Sequence, residues 1–280
     1  MFSELSKRLK KDKIARISLA IIILYFAVAL FTQAGLLLPD FDKVNYTESY
    51  QPPSASHICG TDYLGRDVFS RILHGTRVAI SVGIVSSFIA IPIGVLLGCI
   101  SGFFGGKIDE FVVWLYTTLD SVPGLLLIMA LSLVLGRGLY AVYLALGLTT
   151  WVSLCRLIRS EFIKHREREY VLAAKALGAG SLRQIFIHIL PNVFHIVIIN
   201  FSLRFVYAIQ SEVILSYLGL GAQDMPSWGI MINDAKVELA RGVWWQLTGA
   251  TGAMFLLILA FNIFGDFLRD TLDPKLRGVE

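Results

Sequence analysis

The sequence has little charge and no cysteine framework. Only 16% of its 280 residues are charged, whereas soluble domains usually carry about 25%, and the mean hydropathy is +0.67. Cys59, Cys99 and Cys155 lie far apart and form no CxxC pair, so neither a disulfide framework nor a thiolate metal site is implied. This composition indicates a protein of the lipid bilayer.

The sequence also lacks the common catalytic signatures. It contains no HExxH, no GxSxG and no G-x-x-x-x-G-K-[ST] motif. Its one Gly-Lys pair, Gly106-Lys107, lacks the upstream spacing of a phosphate loop. His57 and Cys59 are two candidate metal ligands without visible partners, which is weak evidence for a site. We therefore predict that the chain is not an enzyme and binds no metal or cofactor itself.

Six apolar segments are long enough to cross about 30 Å of hydrocarbon as helices. The first is too long for a cleaved signal peptide and is not followed by a small-x-small site, so we interpret it as a retained span. The third contains Asp120, and we expect a kink near Pro123. The pattern predicts an all-α polytopic membrane protein with spans at Ile17–Leu38, Val78–Gly106, Phe111–Gly136, Leu139–Cys155, Asn192–Tyr217 and Gly242–Gly265.

The distribution of lysine and arginine predicts the orientation. Six spans place both termini on one side. That side carries 17 Lys and Arg residues and the other carries seven, with Arg204 inside a span. Because cytoplasmic segments are enriched in these residues, we expect the termini and the stretch 167–192 to be cytoplasmic. The long polar connection 39–75 then faces outward.

The second span carries small residues at every fourth position. In lipid, such a ridge lets another helix approach closely, because hydrophobicity does not drive helix association there. We expect this helix to pack deep in a bundle or at a subunit interface. The ridge consists of Ser86, Ala90, Gly94, Gly98 and Gly102.

Three ionisable residues within the spans are candidates for a transport path. Asp120, Arg204 and Glu212 are costly to bury in lipid, so they usually face a polar cavity. The alternative is a structural role, either as pairs that hold helices together or, for Glu212, by reaching the outer interface.

A polar, helix-prone stretch, Glu167–Asn192, interrupts the spans. Its first half places small residues on one helix face and ends at Gly178, a residue typical of helix C-termini. The face comprises Tyr170, Ala173, Ala174 and Leu177. We expect a partner to approach it closely. The alternative is a helix pair lying on the membrane without a partner.

The second half of this stretch predicts another short helix. Ser181 and Gln184 match a capping box, and Pro191 marks a break before the fifth span. Its apolar face would comprise Leu182, Ile185, Phe186 and Ile189.

These residues resemble the cytoplasmic "EAA" loop of ABC-importer permeases, which docks into a groove of the ATPase subunit. Ala173-Ala174, Gly178 and Leu190-Pro191 carry the resemblance. Leu172 stands where that motif has glutamate, and His188 where it has isoleucine, so a role for the glutamate does not carry over. The resemblance implies an ATPase-docking set of Glu169, Tyr170, Ala173, Ala174, Leu177, Gly178, Leu190 and Pro191.

Longer blocks resemble the C-type subunit of the dipeptide/oligopeptide/nickel permease family. They are GTDYLGRDVFSRILHGTR (60–77), REREYVLAAKALGA (166–179), HILPN (188–192), LSYLGLG (215–221), PSWG (226–229) and GDFLRDTLDPKLR (265–277). The resemblance implies a type I ABC-importer permease fold in the bacterial plasma (inner) membrane. It implies four kinds of partner: a B-type permease in a heterodimer, two cytoplasmic ATPases that hydrolyse ATP, an extracytoplasmic solute-binding protein and the bilayer.

We accordingly expect two parts in the chain. Residues 1–75 form a basic segment, the first span and an outer loop, and residues 76–280 form the permease domain with a docking loop at 159–191. Short peptides are the expected cargo, with nickel or another small solute as the alternative. A proton-driven secondary transporter using Asp120 and Glu212 is the rival from another class.

Overall fold

The computed structural model describes residues 2–222 and 225–272. In these residues the regular elements are helices, joined by loops and turns. The helices are α1 (Phe2–Lys11), α2 (Lys13–Gln33), α3 (Val68–Phe104), α4 (Gly106–Asp120), α5 (Gly124–Leu135), α6 (Leu139–Thr149), α7 (Val152–His165), α8 (Glu169–Ala176), α9 (Ser181–Arg183), α10 (Leu190–Tyr217), α11 (Trp228–Leu239) and α12 (Trp245–Leu272). A π-helical turn, Gln184–Ile189, joins α9 to α10.

The described residues contain five helical segments that are long and apolar enough to cross a membrane, or six if the bent pair α4–α5 is one span. The prediction of an all-α membrane protein is confirmed, and the number of spans is six when α4 and α5 are counted as one span. The expected kink near Pro123 is present, and it is large: α4 and α5 meet at 89°. Pro123 lies just before α5 and donates no backbone hydrogen bond, which favours a break at this point.

The second span begins earlier than hydropathy predicts. Asp67 accepts a hydrogen bond from the Ser70 backbone N–H at 2.7 Å and caps α3, which places ten polar and mixed residues before the predicted start at Val78 into the helix. The 37 residues of α3 extend about 55 Å at 1.5 Å per residue. The helix therefore projects beyond the hydrocarbon at one end.

That end of the bundle carries the connection 34–67 and α11, and we call it the long-loop end. Two tryptophans fasten the connection and α11 to the spans. Trp245 donates its indole N–H to the Thr61 carbonyl at 2.9 Å, and the indole of Trp228, which is fully buried, donates to the Ile72 carbonyl at 3.1 Å. The opposite end, which carries α8 and α9, we call the α8 end.

The ridge of small residues on α3 packs against α7 of the same chain. All five ridge residues are buried. A Cβ added to Gly94, Gly98 or Gly102 would lie 2.6–2.8 Å from a backbone carbonyl oxygen of Trp151, Cys155 or Arg159, respectively. Each step of four residues on α3 thus meets a step of four on α7, so the two helices run parallel with their backbones in close contact.

Candidate functional site

Helix α8 ends in a defined glycine cap. Gly178 has φ +86°, the left-handed conformation that glycine adopts readily. Its N–H donates to the Lys175 carbonyl at 3.0 Å, and the Ala179 N–H donates to the Ala174 carbonyl at 3.0 Å. This pair of bonds is a Schellman motif, and it turns the chain sharply from α8 toward α9.

The buried side of α8 differs from the predicted face. Val171 is 1% exposed and Ala174 is 8% exposed, so these two residues, one helical turn apart, point inward. Val171 packs in a cluster with Phe162, Ile185 and Ile189. Tyr170, Ala173 and Leu177 face outward. Ala174 therefore lies on the buried side of α8 together with Val171, and not on the predicted partner-facing side.

The second half of the stretch is continuous with the fifth span. The predicted break at Pro191 is wrong, because helical structure runs from Ser181 to Tyr217 through the π-helical turn. Pro191 sits in the first turn of α10, where the preceding π turn accommodates its missing N–H.

The predicted capping box is also wrong. Gly180, not Ser181, is the N-cap of α9, and no side chain caps it. Gln184 donates its side-chain amide to the Ala179 carbonyl at 2.6 Å instead, which ties the start of this helix to the glycine turn.

Large apolar side chains protrude from the α8 end. Leu177 is 89% exposed and Leu182 is 70% exposed. The predicted apolar face of the second helix is divided, since Ile185 and Ile189 are buried while Leu182 and Phe186 are exposed. We define the α8 surface as the exposed residues Tyr170, Leu172, Leu177, Leu182, Phe186 and Ile187. Of the other predicted docking residues, Glu169, Ala173, Gly178 and Pro191 are exposed and Leu190 is partly buried.

Polar contacts hold the helices beneath this surface. Arg159 of α7 makes a two-pronged ion pair with Asp109 of α4, with both N···O distances 2.5 Å, and Ser101 of α3 donates to the same carboxylate. His165 and the Tyr170 hydroxyl are hydrogen-bonded at 2.7 Å. The α8 segment is thus tied to α7, which is in turn paired with α4, and α4 with α3.

Asp120 and Arg204 lie on the wall of one cavity of about 420 Å³, near the break between α4 and α5. Asp120 forms an ion pair with Arg156 at 2.7 Å, and the Arg156 guanidinium also lies over the Tyr116 ring at 4.7 Å. Arg204 donates to the Thr150 carbonyl and, at 3.1 Å, to the Ser153 hydroxyl. Its Nε is buried without a partner among the described residues.

Glu212 lies apart from this cavity. It is 1% exposed and accepts a hydrogen bond from Ser216 at 2.5 Å. It shares no contact with Arg204 in the described residues, although both belong to α10. Of the three intramembrane charges predicted together, Asp120 and Arg204 line one cavity, whereas Glu212 is buried elsewhere.

A larger cavity of about 710 Å³ opens toward the α8 end. Asn200 and Leu203 line both this cavity and the one that holds Arg204. Charged and imidazole side chains surround it: Glu161, His165, Arg168, His195, Asp266 and Arg269. The two adjoining cavities form a route, lined by both polar and apolar side chains, from the α8 end toward the middle of the bundle.

Sequence reasoning missed a charge network at the long-loop end. Asp62 has a fully buried side chain and pairs with Arg66 at 2.7 Å. Glu238 of α11 is 2% exposed and accepts a hydrogen bond from the Tyr63 backbone N–H at 2.9 Å. Burial raises the pKa of Glu238 to about 7. The GTDYLGRD stretch that signalled this region is the loop that these carboxylates fasten, but nothing in it pointed to Glu238.

The histidine considered as a metal ligand has another arrangement. His57 contacts Asp67 at 2.9 Å and Glu48 at 3.8 Å. Within the described ranges, no group of three or more His, Cys, Asp or Glu side chains is arranged to hold a metal ion.

Comparison with protein-family models identifies two matching regions. Residues 94–278 match the model described as binding-protein-dependent transport system inner membrane component. Residues 1–53 match the model described as N-terminal TM domain of oligopeptide transport permease C. The first match alone covers more than half of the chain.

Curated relatives are similar over nearly the whole length. The dipeptide transport system permease protein of Bacillus subtilis strain 168 is 39% identical over 274 residues, 97% of this chain and 85% of the relative. The oligopeptide transport system permease protein of the same strain is 38% identical, over 96% of this chain and 88% of the relative. A glutathione transport system permease protein of Pectobacterium atrosepticum is 34% identical, over 98% and 91%.

These matches agree with the bundle of membrane-spanning helices. The chain belongs to the family of binding-protein-dependent transport system inner membrane components, and it is a multi-pass permease subunit of an ABC importer, not an enzyme.

Proposed function

We propose that the chain forms half of the translocation path of a short-peptide importer and receives its driving force through the α8 surface. The observation that carries this proposal is the row of large apolar side chains at the α8 end, with Leu177 89% and Leu182 70% exposed. Such side chains cost free energy in water and are typical of a contact surface. A cytoplasmic ATPase would cover them.

The packing of the α8 segment against the spans also supports docking at this place. Val171, Ile185 and Ile189 anchor the segment in the cluster that includes Phe162 of α7 and Cys99 of α3. A force applied to the α8 surface therefore reaches the spans through packed side chains. The eight residues implied by the resemblance remain the proposed docking set, with Ala174 acting from the inner side and Leu182 and Phe186 added from the structure.

The orientation is part of the same proposal. The α8 end carries the excess of lysine and arginine, which favours the cytoplasmic side for this end and for both termini. The long-loop end would then meet an extracytoplasmic binding protein, and a B-type permease would complete the path around Asp120 and Arg204.

Peptides are the proposed cargo, because the dipeptide, oligopeptide and glutathione permeases that resemble this chain are named for peptide substrates. The driving cycle is alternating access, in which ATP binding to the partner ATPases shifts the bundle between two states. A proton-driven carrier loses its basis, since the family depends on a binding protein.

The test uses Leu177→Glu and Leu182→Glu in cells that lack the native chain. We expect dipeptide uptake to fall about tenfold or more and the ATPase subunits to be lost on purification, because charges in a contact centre are strongly unfavourable. Leu36→Glu, at a position 72% exposed beyond α2, is the matched control and should transport normally. Normal uptake by both docking variants would overturn the proposal.

Orientation is tested separately with introduced cysteines after replacement of Cys59, Cys99 and Cys155. Ser181→Cys should resist an impermeant thiol reagent in intact cells, whereas Ala55→Cys in the exposed 34–67 connection should react. Labelling in the opposite pattern would reverse the assigned sides.

A further inference from the structure

A third cavity lies at the long-loop end, separate from the route that holds Arg204. Its volume is about 550 Å³, and it is lined by the end of α2, the first half of α3, the α5–α6 turn, α6, and Ala222 and Met225 beyond α10. It shares no lining residue with either of the two cavities described above. Its most conspicuous feature is that two arginines, Arg77 and Arg137, line it together.

Neither guanidinium has a hydrogen bond or an ion pair within residues 2–222 and 225–272. Over the same residues, no aspartate or glutamate lines the cavity. Two like charges that share a wall without a counter-ion repel one another and produce a positive potential that attracts an anion. By contrast, Arg66, Arg71, Arg156 and Arg159 are each paired with a carboxylate.

The backbone holds Arg137 at the mouth of this cavity. Gly136 and Gly138, on either side of it, have φ angles of +94° and +118°, which other residues rarely adopt. The Gly138 N–H donates to the Leu220 carbonyl at 3.4 Å, so the turn is tied to the chain just beyond α10. The turn therefore fixes the backbone that carries the arginine.

Hydroxyl groups and apolar side chains complete the wall. Ser81, one turn after Arg77 on α3, accepts a hydrogen bond from the Tyr143 hydroxyl at 2.8 Å. The Tyr140 ring is 84% exposed and packs edge-on against Tyr143 at 6.1 Å. The apolar lining is Val78, Leu139, Ala222 and Met225.

We propose that this cavity binds the carboxylate of the transported solute as the solute reaches the permease from the long-loop end. Guanidinium groups bind carboxylates and phosphates through paired N–H donors, and the apolar wall suits the rest of a short peptide. This inference rests on the proposed function for the identity of the solute, but the anion site itself does not depend on transport.

The test measures the rate at which phenylglyoxal modifies each arginine in membranes that contain the complete importer, by mass spectrometry. Dialanine should slow modification of Arg77 and Arg137 about tenfold at saturation, while dialanine amide, which lacks the carboxylate, should have no effect. Arg183, exposed at the α8 end, is the internal reference and should react at an unchanged rate.

Four results would overturn the inference. If dialanine amide protects the arginines as well as dialanine does, or if dialanine does not protect them, the arginines do not bind the solute's carboxylate. Protection by glycerol 3-phosphate or anionic vesicles but not by dialanine assigns the arginines to a lipid headgroup. If phenylglyoxal modifies the two arginines faster in Asp224→Asn, and dialanine protects them only in that variant, then Asp224 is their counter-ion in the native chain.

A transport measurement separates this site from the proposed function. Arg77→Gln and Arg137→Gln should raise the KM for dialanine about tenfold without loss of the ATPase subunits on purification, and Lys236→Gln, an exposed cation at the same end, should not. An unchanged KM in both variants contradicts the site. If the unmodified importer carries no dipeptide but acetate still protects the arginines, the peptide proposal fails and the anion site stands.

Discussion

The small-residue ridge of α3 is filled by the protein's own backbone, whereas nothing in the described part of the chain covers the α8 surface. At the ridge, Gly94, Gly98 and Gly102 face the carbonyl groups of α7 at distances that leave no room for a side chain. At the α8 surface, Leu177 and Leu182 project outward. The first region is a contact made within the chain, and the second has the character of a contact to be made with another.

The difference shows how size and exposure together mark a partner surface in this protein. Small residues in register identify where two backbones approach, and here the approaching backbone belongs to α7. Bulky exposed side chains identify where apolar area is available for association. Ala174 illustrates the point, because its size suggested an outer contact and its burial places it within the chain.

The largest effect should come from adding bulk at the ridge. In Gly98→Leu, the new Cβ would lie 2.8 Å from the Cys155 carbonyl oxygen, so α3 and α7 must separate, at a cost at or above the usual range of about 1–3 kcal/mol for overpacking. Thermal unfolding in detergent measures it. Gly252→Leu, on α12 where a Cβ meets nothing within 4 Å, is the control; equal stability of the two variants would contradict the close packing.

A pair of alanines distinguishes inner from outer contacts in α8. Ala174→Leu should lower the melting temperature, because overpacking this buried position costs about 1–3 kcal/mol. Ala173→Leu, at the neighbouring exposed position, should leave the melting temperature unchanged and reduce dipeptide uptake by obstructing the ATPase. If the two variants exchange these phenotypes, the assignment of the two sides is wrong.

A smaller effect is expected at the turn between the two halves of the α8 surface. Gly178→Ala forces a Cβ into a left-handed conformation at a cost of about 1 kcal/mol, although there is open space around it. Gly180→Ala, two residues on at φ −66°, should be nearly neutral. Comparing the two melting temperatures isolates the backbone conformation, and an equal loss in both would contradict its assignment to the left-handed conformation of Gly178.

The smallest expected effect concerns the long-loop end, which, like the ridge, is closed by contacts within the chain. Burial raises the pKa of Glu238 from 4.5 to about 7, and the carboxylates of Asp62 and Asp234 act in the same direction while Arg66 opposes them. A carboxyl group whose pKa is raised on folding favours the folded state when protonated. Its contribution is therefore complete below about pH 4.5 and is lost as the pH rises toward 7.

Glu238→Gln should remove this dependence while keeping the hydrogen bond from the Tyr63 N–H. Melting temperatures or proteolysis of the 34–67 connection, followed from pH 5 to pH 8, provide the measurement. Glu167→Gln, whose side chain is 74% exposed, is the control. A slope unchanged by Glu238→Gln would assign the titration to another group.

Hydropathy and glycine chemistry predicted much of the fold. Long uncharged segments predicted the spans, Pro123 predicted the bend, and Gly178 predicted the end of α8, because each of these properties is local. The early start of α3 at Val68 was not predicted, since an amphipathic extension beyond the bilayer has no distinctive hydropathy. The continuity of α9 with α10 was missed because a proline normally ends a helical pattern, and the π turn that accommodates Pro191 has no recognised sequence signal.

The position of the α8 segment was predictable from the sequence, but the division of its side chains between buried and exposed sides was not. The sequence located the segment that carries the α8 surface, yet assigned Ala174 outward and joined Leu182 and Phe186 to Ile185 on one face. Which side of a short helix is buried depends on what packs beneath it, here Phe162 of α7. The pairings of Asp120 with Arg156 and of Asp62 with Arg66 likewise require distances that spacing alone does not supply.

The contact between α3 and α7 has a mechanical consequence. At three successive turns α3 presents no side chain to α7, so its backbone rests directly on the α7 segment, against Leu154, Ile158 and Phe162. The two helices therefore have little freedom to separate or slide. Phe162 and Cys99, one from each helix, belong to the cluster on which α8 rests, and α3 reaches the buried Trp228 at the far end through Gly75. A displacement of the α8 segment would then move α3 together with α7, and α3 alone continues to the long-loop end.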